Sequence, residues 1–250
     1  MKRAQIKGIK SKRLRKLLFL ITCILVVAVG GIIFWMSRSY DYKSIAAMAL
    51  KSNDSIKVTD DNFIVFTPEN KTPTKGFIFY PGAKVEAEAY SPLCKKIAEA
   101  GYKVVIVKMP LNFAIFSPDK ADEVINLYSD IDEWAIGGHS LGGVMASKYA
   151  SNQEKIKGIV LYASYPEGDE LEGVDKKVLS IWGNNDGVAD LNKVKGAKLP
   201  KDAEFVEIEG GNHAQFGDYG VQSGDSKATI GNEEQMDIAA KKTIEMLNRL

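Results

Sequence analysis

The stretch from Leu17 to Met36 carries no charged residue, and it restricts the fold of this 250-residue chain more than any other segment. Its sequence, LLFLITCILVVAVGGIIFWM, gives a helix no polar side that could face water. About twenty helical residues cross a hydrocarbon core of roughly 30 Å, and inside lipid a single segment must be helical to satisfy its backbone. The sequence therefore predicts one N-terminal transmembrane helix at residues 17–36.

The charges around this run predict its orientation. Eight of the 33 Lys and Arg residues precede it, within residues 1–16, whereas none of the 32 Asp and Glu residues does. Because basic flanks stay on the cytoplasmic side, we expect a basic cytoplasmic tail, a single-pass signal-anchor in the cell membrane and a body outside the cytoplasm. The alternative is a signal peptide cleaved near residues 28–30 (AVG), which would release a secreted protein. Since the apolar run continues through residues 32–36, the uncleaved anchor is favoured.

The body that follows is net acidic, and this excludes several classes of partner. Binding to nucleic acid needs a basic face, so no nucleic-acid partner is predicted. The two histidines and two cysteines stand on separate segments, so no metal site is predicted. Neither a Walker-type phosphate loop nor a dinucleotide fingerprint follows the first strand candidate, and no cofactor is predicted.

In the body, short apolar runs alternate with helical patterns. Runs such as FIFY, VVIV and IVLY are apolar at every position, which is typical of strands covered on both faces in a parallel sheet. The predicted strands are residues 62–66, 76–80, 103–107, 134–138, 158–162, 178–182 and 204–208. The predicted helices are residues 91–100, 118–128, 141–150, 191–199 and 233–250. This alternation predicts an α/β fold with a mostly parallel sheet flanked by helices. Residues 37–58 are predicted as a juxtamembrane segment, with a possible first helix at 44–50, and residues 59–250 as the domain.

The segment GHSLG at residues 138–142 joins a predicted strand to a predicted helix. The pattern G-x-S-x-G needs that context, because its serine occupies a strained turn that exposes the hydroxyl. We therefore predict Ser140 as a nucleophile, with the amide of Leu141 at the helix start directed toward a developing oxyanion. The neighbouring His139 is expected to point away from that hydroxyl and to pack beneath the turn.

The second histidine, His213, lies in the glycine-rich polar segment GGNHAQFG after the last predicted strand. A lone histidine is most often structural. Here the chain has only two, and one already belongs to the serine turn. His213 is therefore predicted as the general base that activates the serine.

A histidine base needs an acid to fix its tautomer and stabilise its charged form. Asp186, in the segment WGNNDG, ends the predicted strand 178–182 and lies on the same rim as the serine and the histidine. Asp190 and Asp218 are the alternatives, each of which could equally be a turn or helix-cap residue. We predict Asp186, which gives the chain order Ser140, Asp186, His213.

A second oxyanion donor should come from the loop after the predicted strand 76–80. That loop reads YPGAK, and its small residues allow a backbone amide to approach a substrate. Ala83 is the predicted donor, with Lys84 as the alternative.

These segments together resemble the α/β-hydrolase superfamily, and most closely its small bacterial branch often called the family-5 type, over about residues 60–250. The resemblance rests on FYPGAKVEAEAYSPL, VVIVKMPLN, GGHSLGG, WGNNDGVA and above all EGGNHAQFGDYGVQSGD, which is far more specific than G-x-S-x-G. It implies an α/β-hydrolase fold and a Ser-His-Asp core, with Ser140, Asp186 and His213 at the triad positions. One departure is Ala83, where a second glycine is more usual. The resemblance implies no particular substrate.

The sequence thus predicts a serine hydrolase that cleaves an ester, thioester or amide of a small acyl substrate through a Ser140 acyl-enzyme. Two alternatives are an acyltransferase that passes the acyl group to a cell-envelope acceptor and a catalytically idle binding module. Residues 163–177, between two predicted strands, are too few and too polar for a large cap. Phe216 and Tyr219 are therefore predicted to form much of the wall of an open substrate pocket that prefers short acyl groups.

Overall fold

A computed structural model describes residues 2–250, with the side chains of residues 14–34 and 38–250. It divides into two units, Met1–Arg38 and Ser39–Leu250. The first unit is one long helix, α1 (Lys2–Ser37), so the basic tail predicted as a separate segment is helical from Lys2 onward. Within it, Leu14–Phe34 is long and apolar enough to span a membrane, or to serve as a signal sequence.

The second unit is built on an eight-stranded sheet. Its strands are β1 (Ile56–Asp60), β2 (Phe63–Pro68), β3 (Lys75–Tyr80), β4 (Lys103–Val107), β5 (Glu133–His139), β6 (Ile156–Tyr162), β7 (Lys177–Gly183) and β8 (Glu204–Ile208). The spatial order is β1-β2-β4-β3-β5-β6-β7-β8, and only the pairs β1–β2 and β2–β4 are antiparallel. The carboxyl ends of the six parallel strands therefore share one edge of the sheet, where loops can converge.

Helices cover both faces of this sheet. They are α2 (Ser44–Ala49), α3 (Ser91–Glu99), α4 (Ala121–Leu127), α5 (Leu141–Ala150), α6 (Leu191–Lys195) and α7 (Asn232–Leu247). Buried side chains of α3 and α7 pack into the core on one face, and those of α4 and α5 pack into the core on the other. Strands β3 and β4 are buried almost throughout, because helices cover them on both sides.

The predicted α/β-hydrolase fold, with a mostly parallel sheet flanked by helices, is confirmed. Two local differences have physical reasons. Strand β1 was not predicted, because its sequence IKVTD places mostly exposed, polar residues at the edge of the sheet. Helices α4 and α6 are shorter than predicted: turns precede Ala121, and Gly196 ends α6. Between β6 and β7 the described residues 163–176 contain no helix.

The segment expected to be juxtamembrane, residues 37–58, packs onto the body from Ser39 onward. Ala46 in α2 is fully buried, and its N–H donates to the Asp218 carboxylate at 2.9 Å. Tyr40 forms an isolated parallel bridge with Val85. This segment therefore belongs to the same compact unit as the sheet.

Candidate active site

Ser140 occupies a sharp turn between β5 and α5. Its φ of 51° and ψ of −125° are strained values for a residue with a side chain. The turn is possible because its neighbours lack side chains: a Cβ on Gly138 would overlap the backbone of Gly142, and one on Gly142 would overlap the backbone oxygens of Tyr80 and Pro81. This close approach brings the start of α5 against the loop that follows β3. The serine is partly exposed there.

Asp186 and His213 form a buried pair. Their Oδ2 and Nδ1 atoms are 2.8 Å apart, and both side chains are at most 1% exposed. The other carboxylate oxygen of Asp186 accepts the N–H groups of Val188 and Ala189, each at 2.8 Å. These bonds fix the carboxylate and leave Nε2 of His213 buried and without a hydrogen-bond partner among the described groups. The structure therefore brings together the predicted acid and the predicted base.

The loops that carry this pair are held by close backbone contact and by a further carboxylate. A Cβ on Gly183 would overlap the backbone of Gly211, so the end of β7 lies directly against the histidine loop. Asp225 accepts the N–H of Gly187 at 3.0 Å and that of Ala214 at 2.9 Å, and thereby joins the acid loop to the base loop. Sequence reasoning gave Asp225 no role, although the turn-forming pair Gly-Asp at residues 224–225 was a local signal.

The two alternative acids lie elsewhere. Asp190 is the N-cap of α6, and its Oδ1 accepts the N–H groups of Asn192 and Lys193. Asp218 binds the N–H of Ala46 and so fixes α2 to the histidine loop. Neither carboxylate is hydrogen-bonded to His213 in the described part of the chain.

His139 is buried beneath the turn, as expected for a packing residue. Its ring centroid lies 4.5 Å from that of His213, and its Nδ1 is 2.8 Å from the hydroxyl of Tyr90. That hydroxyl also accepts the N–H of Gly82 at 3.0 Å. Burial, with a smaller contribution from His213, holds the pKa of His139 well below its usual range, so its ring stays neutral. Tyr90 had no distinguishing local signal in the sequence.

The backbone amides that could bind an oxyanion differ in whether they already donate a hydrogen bond within the protein. The N–H of Lys84 donates to the carbonyl of Asn112 at 2.8 Å, so Lys84 is not an available donor. The N–H of Gly82 is also engaged, by the tyrosine hydroxyl. The N–H groups of Ala83 and Leu141 donate to no acceptor among the described residues. These two free amides belong to the segments that Gly142 brings into contact.

Phe216 and Tyr219, predicted as pocket walls, are core residues instead. Phe216 is fully buried, and its ring packs against those of His139 and Tyr162 at centroid distances of 5.8 and 5.7 Å. Tyr219 is 3% exposed and packs against Tyr90. The two aromatic rings support the histidines from below, because the histidine loop folds inward onto α3 and α7.

The described side chains contain no group of three or more His, Cys, Asp or Glu residues that could hold a metal ion. The arrangement is therefore one of a serine, a neutral buried histidine, a carboxylate–histidine pair and two free amides.

The mostly parallel sheet, the serine turn after β5 and the carboxylate–histidine pair define an α/β hydrolase. Residues 76–237 match the model of the alpha/beta hydrolase family, named Abhydrolase_5, which is more than half of the chain. The chain belongs to that family and is an enzyme of the hydrolase type. No curated protein matches it.

Solved structures share the fold at low sequence identity. A predicted CIB-like hydrolase from Thermoplasma acidophilum has a TM-score of 0.57 and 15% identity, with 76% of this chain and 97% of that one covered. The α/β-hydrolase MGS-MChE2, from a metagenome of lagoon sediments of Mar Chica, Morocco, has a TM-score of 0.57 and 17% identity, with 77% and 99% covered. A structure from work on the metagenome-derived lipolytic enzymes LipS and LipT has a TM-score of 0.56 and 13% identity, with 72% and 96% covered.

Proposed function

We propose that this protein is a serine hydrolase that cleaves a carboxylic ester through an acyl-enzyme on Ser140. The observation that carries the proposal is the buried 2.8 Å bond between Asp186 and Nδ1 of His213, with Nε2 free of any hydrogen-bond partner among the described residues. The ring of His213 packs against His139, the residue before Ser140. A lipolytic enzyme and α/β hydrolases among the structural neighbours agree with ester chemistry.

In this mechanism the Nδ1–H of His213 donates a hydrogen bond to Asp186, so Nε2 is the basic nitrogen. Nε2 takes the hydroxyl proton of Ser140 while Oγ bonds to the carbonyl carbon, and the carbonyl oxygen becomes an oxyanion. His213 then gives the proton to the leaving alcohol, and the acyl group stays on Oγ. A water molecule, deprotonated by the same nitrogen, releases the acid and restores Ser140.

The oxyanion is bound by the amides of Ala83 and Leu141. Neither N–H group donates to an acceptor in the described part of the chain, and donors of this kind typically stabilise the transition state by about 3–4 kcal/mol. His139 stays neutral because of its lowered pKa, so no second positive charge opposes the charged form of His213 that arises during each step.

A fluorophosphonate probe tests the nucleophile. Ser140→Ala should abolish labelling and lower kcat by about 10⁴-fold, because the acyl-enzyme can no longer form. Ser151→Ala, at the opposite end of α5, is the matched control and should label normally. Persistent labelling of the Ser140→Ala chain at another serine would refute the assignment of the nucleophile.

We further propose that α1 is an uncleaved anchor, with its basic end in the cytoplasm and the hydrolase body outside. The segment Leu14–Phe34 has the length and composition of a membrane span, and eight Lys and Arg residues lie within residues 1–16, at the amino end of its apolar run. Protease added to intact cells should degrade the body and leave an N-terminal fragment protected. A soluble mature form that begins near Gly31 would show cleavage instead.

A further inference from the structure

The segment that leaves α1 is attached directly to a loop of the candidate site. Helix α1 ends at Ser37, and only Arg38 and Ser39 lie between the helix and Tyr40. The N–H of Tyr40 donates to the carbonyl of Lys84 at 2.6 Å, and the N–H of Glu86 donates to the carbonyl of Tyr40 at 3.2 Å. Tyr40 is thus bound next to Ala83, the candidate oxyanion donor.

The same segment is bound on its other side to the histidine loop. The ring of Tyr40 lies 5.7 Å from that of Tyr219, and its hydroxyl accepts the N–H of Ser223 at 3.3 Å. The N–H of Lys43 donates to the carbonyl of Asp218 at 2.8 Å. Residues 40–43 therefore lie between the two loops that carry the candidate oxyanion donor and the candidate base.

Covalent geometry limits how far these loops can be from the end of α1. Tyr40 is three residues after Ser37, so the Cα atoms of the two residues are at most about 11 Å apart even in a fully extended chain. This limit holds whatever direction α1 takes. If α1 spans a bilayer, the loops bound to Tyr40 are tethered to its end by this short connection.

Exposed apolar side chains occur at this edge. The segment after β4 is tied to the site by the bond from Lys84 to Asn112, and its turn Ala114–Phe116 packs against α5. The histidine loop contributes a further apolar residue just after Gly220. A Cβ on Gly220 would lie 3.6 Å from the Lys43 side chain, so this part of the loop is close to residues 40–43. These two segments carry four exposed apolar residues, which we call the rim patch: Leu111 (49% exposed), Ile115 (54%), Phe116 (49%) and Val221 (90%). Such side chains are stabilised when they enter the boundary between lipid headgroups and tails.

We propose that the rim patch contacts the lipid surface, and that the substrate is an acyl ester of a bilayer lipid. This rests on the proposed ester hydrolysis and on the proposed anchor. The ester group reaches Ser140 at the surface while the acyl tails stay in the leaflet. The protein then needs no long apolar tunnel, which agrees with the absence of a helix in the described connection 163–176.

The first experiment tests the surface without using catalysis. The full chain, with Cys23→Ser and the buried Cys94 retained, is reconstituted in phosphatidylcholine vesicles and labelled with a polarity-sensitive dye at Ile115→Cys. The dye emission should shift to the blue and be quenched by brominated lipids. The matched control is Phe205→Cys, an exposed apolar position on β8 that is 44% exposed and should behave as in water. Equal emission at the two positions would overturn the membrane-facing patch.

The second experiment tests the substrate class. The double variant Ile115→Ser/Phe116→Ser should hydrolyse a fluorogenic diacyl lipid in these vesicles about tenfold or more slowly, because two exposed apolar side chains are lost from the proposed lipid contact. Its rate on dissolved p-nitrophenyl acetate should equal that of the unchanged chain. Phe205→Ser should leave both rates unchanged. A lipid rate that is unaffected by the double variant would overturn the proposal.

A third variant tests the short connection. A flexible Gly-Ser insertion of about twenty residues between Arg38 and Ser39 should lower the vesicle rate and spare the rate on the dissolved ester, because the limit on distance is lifted. An unchanged vesicle rate would show that the short connection has no role. If the unchanged chain hydrolyses neither substrate, the proposed ester hydrolysis is wrong. The dye experiment still tests independently whether the rim patch contacts lipid.

Discussion

Asp186 differs from the two other candidate carboxylates in what its oxygens contact. One oxygen is held by two backbone amides and the other faces the histidine, so the group is fully engaged as an acceptor in its charged form. Asp190 caps a helix and Asp218 fixes α2, so each is explained by a structural role alone. We therefore expect mutation of Asp186 to lower kcat far more than mutation of either of the other two carboxylates.

Asp186→Asn should lower kcat by about 10³–10⁴-fold with the fold intact, because the amide can no longer hold the Nδ1–H tautomer of His213. Steady-state kinetics on a dissolved ester, with circular dichroism as the check on folding, measures this. Asp190→Asn is the control and should be nearly as active as the unchanged chain. The assignment of Asp186 is wrong if Asp190→Asn or Asp218→Asn causes the large loss and Asp186→Asn is mild.

The two buried histidines predict that the acid limb of the pH profile of kcat/KM reports a single ionisation. Burial holds the pKa of His139 well below its usual range, so this ring stays neutral and adds no second ionisation to the acid limb. As pH rises, kcat/KM should therefore increase with a slope of one on a logarithmic plot and then level off. A slope of two would show that His139 titrates in the same range and that its neutral state is wrongly inferred.

At the scale of elements, the site depends on two backbone contacts that only glycine permits. Gly142 brings α5 against the loop after β3, and Gly183 brings β7 against the histidine loop. The first contact brings together the segments that carry the two free amides, and the second brings together the loops that carry the acid and the base. Both are contacts between segments far apart in the sequence.

Gly142→Ala should destabilise the protein by about 1–3 kcal/mol or more and abolish most activity, because the new methyl group meets backbone atoms that cannot rotate away. Thermal unfolding and esterase kinetics measure the two effects. Gly168→Ala is the matched control: its methyl group would meet only the flexible end of the Glu170 side chain, at 3.3 Å. Normal activity in Gly142→Ala would contradict the close approach of the two segments.

The same distinction between local and distant contacts explains what the sequence could predict. The buried strands were predictable because runs such as FIFY are apolar at every position, and the serine turn because its residues are adjacent in the chain. Strand β1 was not predicted, since its mostly exposed residues resemble a surface segment.

The rest of the site depends on contacts across the sheet edge. No local pattern shows that Tyr90 meets His139, that Asp225 holds two loops, or that the Lys84 amide is already bonded. Phe216 and Tyr219 were placed at the pocket because they flank the histidine in sequence. They are buried because that loop turns inward, which only the packed structure determines.

At the scale of the whole molecule, the connection between β6 and β7 decides how much of a substrate the protein can enclose. Many α/β hydrolases insert a cap there, but the described residues 163–176 form only turns and bends. With Phe216 and Tyr219 buried, the aromatic rings that were expected to wall the site support it from beneath instead. Under the proposed ester hydrolysis, we therefore expect an open site that offers little apolar surface to a long acyl chain.

The acyl-length dependence for dissolved esters should therefore level off early. Each methylene that is buried contributes about 0.8 kcal/mol, which raises kcat/KM about fourfold, but only where a wall receives it. We expect kcat/KM to rise over the shortest p-nitrophenyl esters and then stay flat or fall. The measurement is kcat/KM from acetyl to palmitoyl below each ester's critical micelle concentration, with Ser140→Ala as the blank. A rise that continues beyond octanoyl would reveal a long apolar channel within the protein and would contradict an open site without a cap.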